Sequence, residues 1–113
     1  MKKNHDLIKG TLKAILLELL SNQRKMYGYQ MMKELEKMTD SNLIITESAL
    51  YQALYKLEAQ GVLTSTLEQV DNRPRKYYFL TESGRKERKK QKEELEQFVR
   101  QLHSIFNFKL AIQ

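Results

Sequence analysis

A chain of 113 residues has room for one domain with one small core and at most one appended element. Its 20 lysines and arginines against 14 acids give a net charge of +6 and a pI near 9.5, which favours an anionic partner, nucleic acid before membrane. The absence of cysteine excludes disulfides and thiolate metal sites, and no apolar run approaches the roughly 18 residues of a membrane span. Met1–Asp6 lacks the apolar stretch of a signal peptide, so a soluble, cytoplasmic protein is expected.

From Asp6 to Leu20, apolar residues at Ile8, Leu12, Ile15, Leu16 and Leu19 recur at steps of three and four, predicting an amphipathic helix capped by Asn4 or Asp6. Ser21–Lys25 is a polar break. A second helix is expected over Tyr29–Met38, burying Met31, Met32, Leu35 and Met38, with Gly28 at its start where a side chain would obstruct a close approach. Thr39–Asn42 reads as a turn and Leu43–Ile45 as a short strand. Thr46 is placed to cap a third helix that ends at Gly61. Its leucines (Leu50, Leu54, Leu57) share one face with Ala53, while Ser48, Gln52, Tyr55 and Ala59 fall on the opposite one, flanked by Tyr51 and Lys56. Two strands, Val62–Val70 and Arg75–Leu80, then flank a turn at Asp71–Pro74. Thr81 caps a final helix running to about Leu110. Its first part, Arg85–Lys92, is nearly all charged and reads as a solvated face. Its second carries an apolar seam of Leu95, Phe98, Val99, Leu102, Ile105 and Phe106.

This order implies an α+β, mostly α fold: a winged helix-turn-helix over residues 1–81, followed by one long C-terminal helix, residues 82–113, for dimerisation. A surface helix beside a basic hairpin suits a DNA duplex, because the helix can meet base edges while the hairpin holds phosphates. The candidate reading set is Ser48, Tyr51, Gln52 and Lys56, with Thr46 at the start of the helix and Tyr29 at the second helix. Arg73, Arg75 and Lys76 form the phosphate set, since cations beside a duplex release condensed counterions. Three alternatives stay open. The Tyr51 ring can pack inward and offer only its hydroxyl; Lys76 can point inward, because strand alternation separates it from Arg75; and Tyr27 and Tyr29 suit core packing as well as phosphate. Tyr77, Tyr78 and Phe79 read as core rather than base-stacking residues.

In order along the chain, Gly10-Thr11-Leu12, Tyr27-Gly28-Tyr29, Leu50-Tyr51, Leu57-Glu58, Gly61, Arg73-Pro74-Arg75-Lys76-Tyr77-Tyr78, Leu80-Thr81 and Gly84 resemble the PadR family of bacterial transcriptional regulators. A single helix after the wing is similar to the short-tailed branch of that family. The resemblance implies a homodimer on a two-fold symmetric DNA operator, usually repressing nearby genes, with a small-molecule effector at the dimer interface in some members. The chain departs from the family pattern at Gln52, where members often carry proline, so operator sequence does not transfer. It also has no tryptophan for the ligand stacking of drug-binding relatives; Leu95 lies near the matching turn.

No cofactor is expected. His5 and His103 have no metal-spaced partner, and Asp40, Glu47 and Ser48 make no nucleophile–base arrangement, so an enzyme is not expected. The competing reading is a winged-helix adaptor or anti-repressor that binds protein through the Tyr51–Gln52 face and does not bind DNA.

Overall fold

The computed structural model describes residues 8–110. In chain order the elements are α1 (Leu12–Asn22), β1 (Met26–Tyr27), α2 (Gly28–Met38), α3 (Glu47–Ala59), β2 (Leu63–Val70), β3 (Arg73–Leu80) and α4 (Glu82–Phe106). The three strands form one antiparallel sheet in the order β1-β3-β2. β1 pairs Met26 with Tyr78 and Tyr27 with Tyr77, and β2 pairs with β3 from Leu63–Leu80 to Val70–Arg73.

The core forms where the leucine faces of α1 and α3 meet Met31 of α2 and the inner face of the sheet. Leu16, Leu17, Met26, Met31, Leu50, Leu54 and Leu63 are fully buried. Each such side chain contributes about 1.5–3 kcal/mol relative to exposure, so the three-helix contact outweighs any single hydrogen bond in the domain.

Several expectations need correction. The third strand is Met26–Tyr27, between the first two helices, and not Leu43–Ile45. That apolar run has no strand partner: Ile45 drops into the core, Leu43 packs against it, and Ile44 is exposed. The element order is therefore helix, strand, helix, helix, strand, strand, helix. Regular helix in α1 begins at Leu12, after a turn in which the Thr11 hydroxyl donates to the Ile8 carbonyl. The proposed caps Asn4 and Asp6 lie outside the described residues. Met38, expected in the core, is 59% exposed because it ends α2 beyond the buried turn of Leu35.

The wing is tighter than expected. β3 starts at Arg73, leaving Asp71 and Asn72 as a two-residue turn with φ of 52° and 63°. Two left-handed residues are the mark of a type I′ hairpin, whose twist matches that of the strands, and Asp and Asn tolerate that region.

α4 stops at Phe106, with left-handed Asn107 as its C-cap, instead of reaching Leu110. Its charged first part is not simply solvated. It lies along α1, where Lys13 pairs with Glu87 at 3.1 Å and Glu18 takes Arg88 at 3.2 Å and Lys92 at 3.5 Å. Among the described residues no helix is long and apolar enough to cross a membrane.

Candidate nucleic-acid interface

The helix that carries the reading set is fixed at both ends. The Thr46 hydroxyl accepts from the Ala49 amide at 3.1 Å, so its side chain is used as the cap of α3. At the other end Gly61 adopts φ +80°. There the Val62 amide donates to Leu57 and the Gly61 amide to Glu58, a Schellman arrangement that turns the chain into β2. With Leu50, Leu54 and Leu57 buried, the helix has one rotational setting, and Ser48, Gln52, Tyr55 and Lys56 point outward. These four and the edge of Tyr51 share one shallow surface depression. The Gln52 amide donates to the Ser48 hydroxyl at 3.4 Å, which lays both side chains along that face.

Tyr51 occupies a notch made by Gly28. A Cβ at Gly28 would stand 2.6 Å from Cζ of the Tyr51 ring, well inside contact distance. The ring therefore seats on the first residue of α2 and stays 41% exposed at its rim. Partial burial pushes the phenol above its ordinary value of 10, so the hydroxyl remains protonated and able to donate at neutral pH. This is the inward packing left open from the sequence, and it explains the glycine at position 28.

Strand alternation divides the wing cations. Lys76 is on the inner face with Tyr78, facing α3, where its ammonium is 3.2 Å from Glu58 and 5.3 Å from the Tyr78 ring centroid. Glu58 also accepts from the Ser65 hydroxyl at 2.5 Å. That hydrogen bond, and then Lys76, hold the Glu58 carboxyl below its usual range, while Glu58 raises the lysine. The Glu58–Ser65–Lys76 set thus ties the wing to the end of α3. Arg75 leaves the other face and stacks on Tyr27 at 4.6 Å; Tyr27 meets the Tyr77 ring edge-on. Between wing and helix runs a groove of about 450 Å³ lined by Tyr27, Gly28, Tyr51, Tyr55, Arg75 and Lys76, among others.

The structure therefore gathers Ser48, Tyr51, Gln52, Lys56, Arg75 and Lys76 on one side of the molecule. Arg73 is exposed at the hairpin tip, and Tyr29 is exposed on α2 beside Lys33, outside the groove. Tyr55 and the Glu58–Ser65 bond were absent from the sequence-derived set. The spacing of Tyr55, three residues after Gln52, was a usable signal; the Ser65 contact depends on how β2 returns past α3 and left none.

The predicted seam lies at the far end of α4. Leu95 and Leu102 are half-buried; Phe98, Val99, Ile105 and Phe106 are exposed, Ile105 by 73%. Beyond Lys92, the side-chain hydrogen bonds and ion pairs among the described residues stay within α4 itself.

A helix–turn–helix of α2 and α3, backed by α1 and flanked by a basic β-hairpin, defines a winged helix-turn-helix protein. The sequence pattern of the Transcriptional regulator PadR-like family matches residues 16–90, and the chain belongs to that family. Among solved structures, a transcriptional regulator from Clostridium thermocellum is 33% identical with a TM-score of 0.80, covering 89% of this chain and 97% of its own. A PadR family transcriptional regulator from Eggerthella lenta is 27% identical with a TM-score of 0.76, covering 92% of this chain and 88% of its own. Bacillus subtilis PadR, solved in complex with operator DNA, is 26% identical with a TM-score of 0.64; the match covers 71% of this chain and 45% of that one.

Proposed function

We propose that the chain is a sequence-specific DNA-binding repressor of the cytoplasm, acting as a homodimer on a two-fold symmetric operator. The observation that carries this reading is the outward face of α3: Ser48, Gln52 and Lys56 stand exposed on a helix whose setting is locked by its leucines, with a basic hairpin alongside. That face suits the major groove, where the Gln52 amide can make the paired hydrogen bonds that distinguish adenine. The wing cations Arg73, Arg75 and Lys76, the cap residue Thr46 and the hydroxyls of Tyr51 and Tyr29 are assigned to the backbone, where they set register without reading sequence.

The functional division is residues 1–81 for DNA and 82–113 for pairing. Two copies would join through Leu95, Phe98, Val99, Leu102, Ile105 and Phe106, a stripe on which Phe98, Val99, Ile105 and Phe106 stand exposed among the described residues. The two α3 helices would then enter successive major grooves, about 34–36 Å apart. A dimer seated this way blocks the duplex to polymerase, which is the physical basis for repression. A small-molecule effector at the seam would act by changing the separation of the two α3 helices.

Fluorescence anisotropy of the protein against its own upstream region and a scrambled duplex, at two salt concentrations, tests the proposal. Tight, salt-sensitive binding that prefers the upstream region is expected. Indifference to any duplex at low salt would overturn it and leave the protein-binding adaptor.

A further inference from the structure

Two tyrosines sit four residues apart on α3, and the fold uses them differently. Tyr51 is seated in the Gly28 notch, with its hydroxyl at the groove. Tyr55 is 78% exposed, the most exposed large apolar side chain among the described residues. The Lys76 ammonium stands 5.9 Å from its centroid, on the wing side. A phenol ring held out in water on a rotationally fixed helix keeps its apolar faces free, and the surface that α3 meets would be the first to cover them.

On the major-groove edge of a duplex the base pairs present donors, acceptors and one apolar group, the C5-methyl of thymine. We propose that Tyr55 reads that methyl group, and so sets a thymine preference at one position of each half-site. The inference rests on the DNA-binding reading above and adds a base identity to it. The spacing is consistent. Ser48, Gln52 and Tyr55 follow one another along the outward face over about 10 Å of helix, roughly the rise of three base pairs. Gln52 and Tyr55, one turn apart, can therefore address neighbouring positions, the amide by hydrogen bonds and the ring by contact. The same chemistry predicts that 5-methylcytosine, which carries a methyl at the equivalent place, is tolerated better there than cytosine.

The test uses the full chain and the duplex it selects from a random library, with each thymine replaced singly by deoxyuracil, which removes only the methyl. One thymine in each half-site should stand out, its replacement weakening binding about fourfold, the worth of one buried methyl group. Tyr55→Ala should bind the thymine and uracil duplexes alike, whereas Tyr55→Phe should keep the discrimination, because the ring and not the hydroxyl carries it. The proposal is overturned if no single thymine matters to the unaltered protein, if Tyr55→Ala discriminates as well as the parent, or if Tyr55→Phe behaves like Tyr55→Ala. Failure to select any duplex would instead remove the DNA-binding reading, and this assignment with it. Tyr55 lies outside the core, so both variants should melt with the parent.

Discussion

The near and far halves of α4 belong to one continuous helix, but different forces account for each. Up to Lys92 the helix rests on its own domain: Thr81 caps it, Gly84 presses against Val62, and Glu87, Arg88 and Lys92 meet Lys13 and Glu18 of α1. From Leu95 onward it carries an apolar stripe left mostly exposed among the described residues, with Phe106 63% exposed and stacked on nearby Phe108. A charged surface can be satisfied by water and a few ion pairs. An apolar stripe of this size is not satisfied that way, and it is the surface proposed above for pairing. The halves should therefore respond to different perturbations.

The largest effect is expected in the far half. Phe98→Asp combined with Leu102→Asp places two charges in the stripe and should convert a dimer to a monomer in light scattering, with the circular dichroism of the domain retained. A dimer that survives would remove the seam assignment. Next comes the joint between α4 and the domain. At Gly84 a Cβ would run into the Val62 carbonyl oxygen, so Gly84→Ala should cost about 1–3 kcal/mol in denaturant unfolding. A neutral result would mean that α4 shifts freely at its root.

The near half should be more forgiving. Glu18→Gln breaks the pairs with Arg88 and Lys92, but all three groups reach solvent, so the loss should stay below about 1 kcal/mol and shrink further in high salt. A larger loss that fades as salt is raised would show that the docking of α4 is mainly electrostatic, whereas a large salt-independent loss would point to packing of the Glu18 stem.

The smallest effect is a pH dependence. Glu87, held down by its hydrogen bond from Gln91 and then by Lys13, and Glu58, held down by Ser65 and Lys76, both have folded values below the ordinary 4.5. Their contribution is fully present above the unfolded value and is lost as pH falls through the folded one. Thermal stability should therefore drop below about pH 4.5, and Glu87→Gln together with Glu58→Gln should flatten that drop.

What the sequence shows and hides follows from the range of the forces. Leu50, Leu54 and Leu57 announce α3 because helix periodicity is local, and Thr46, Gly61 and Thr81 mark element ends for the same reason. The strand Met26–Tyr27 has no such signature: two residues become a strand only because Tyr77 and Tyr78 arrive to pair with them. Leu43–Ile45 has the composition of a strand but no partner. Glu18 and Arg88 are 70 residues apart, so their pairing had no local trace. That Ser48, Gln52 and Lys56 share one exposed face of α3 was legible because they lie on one helix. The Gly28 notch was half legible: the need for a glycine could be read, but not that the ring of Tyr51 fills the space.

The contact of Gly84 with Val62 also makes α4 a lever arm. From that root to Phe106 the helix runs about 33 Å at 1.5 Å per residue. A tilt of only about 5° at the fulcrum would sweep the seam sideways by about 3 Å, close to one base-pair rise. If two copies pair through that stripe as proposed, the separation of their α3 helices would thus be tuned by a backbone carbonyl and a missing side chain at the root of α4.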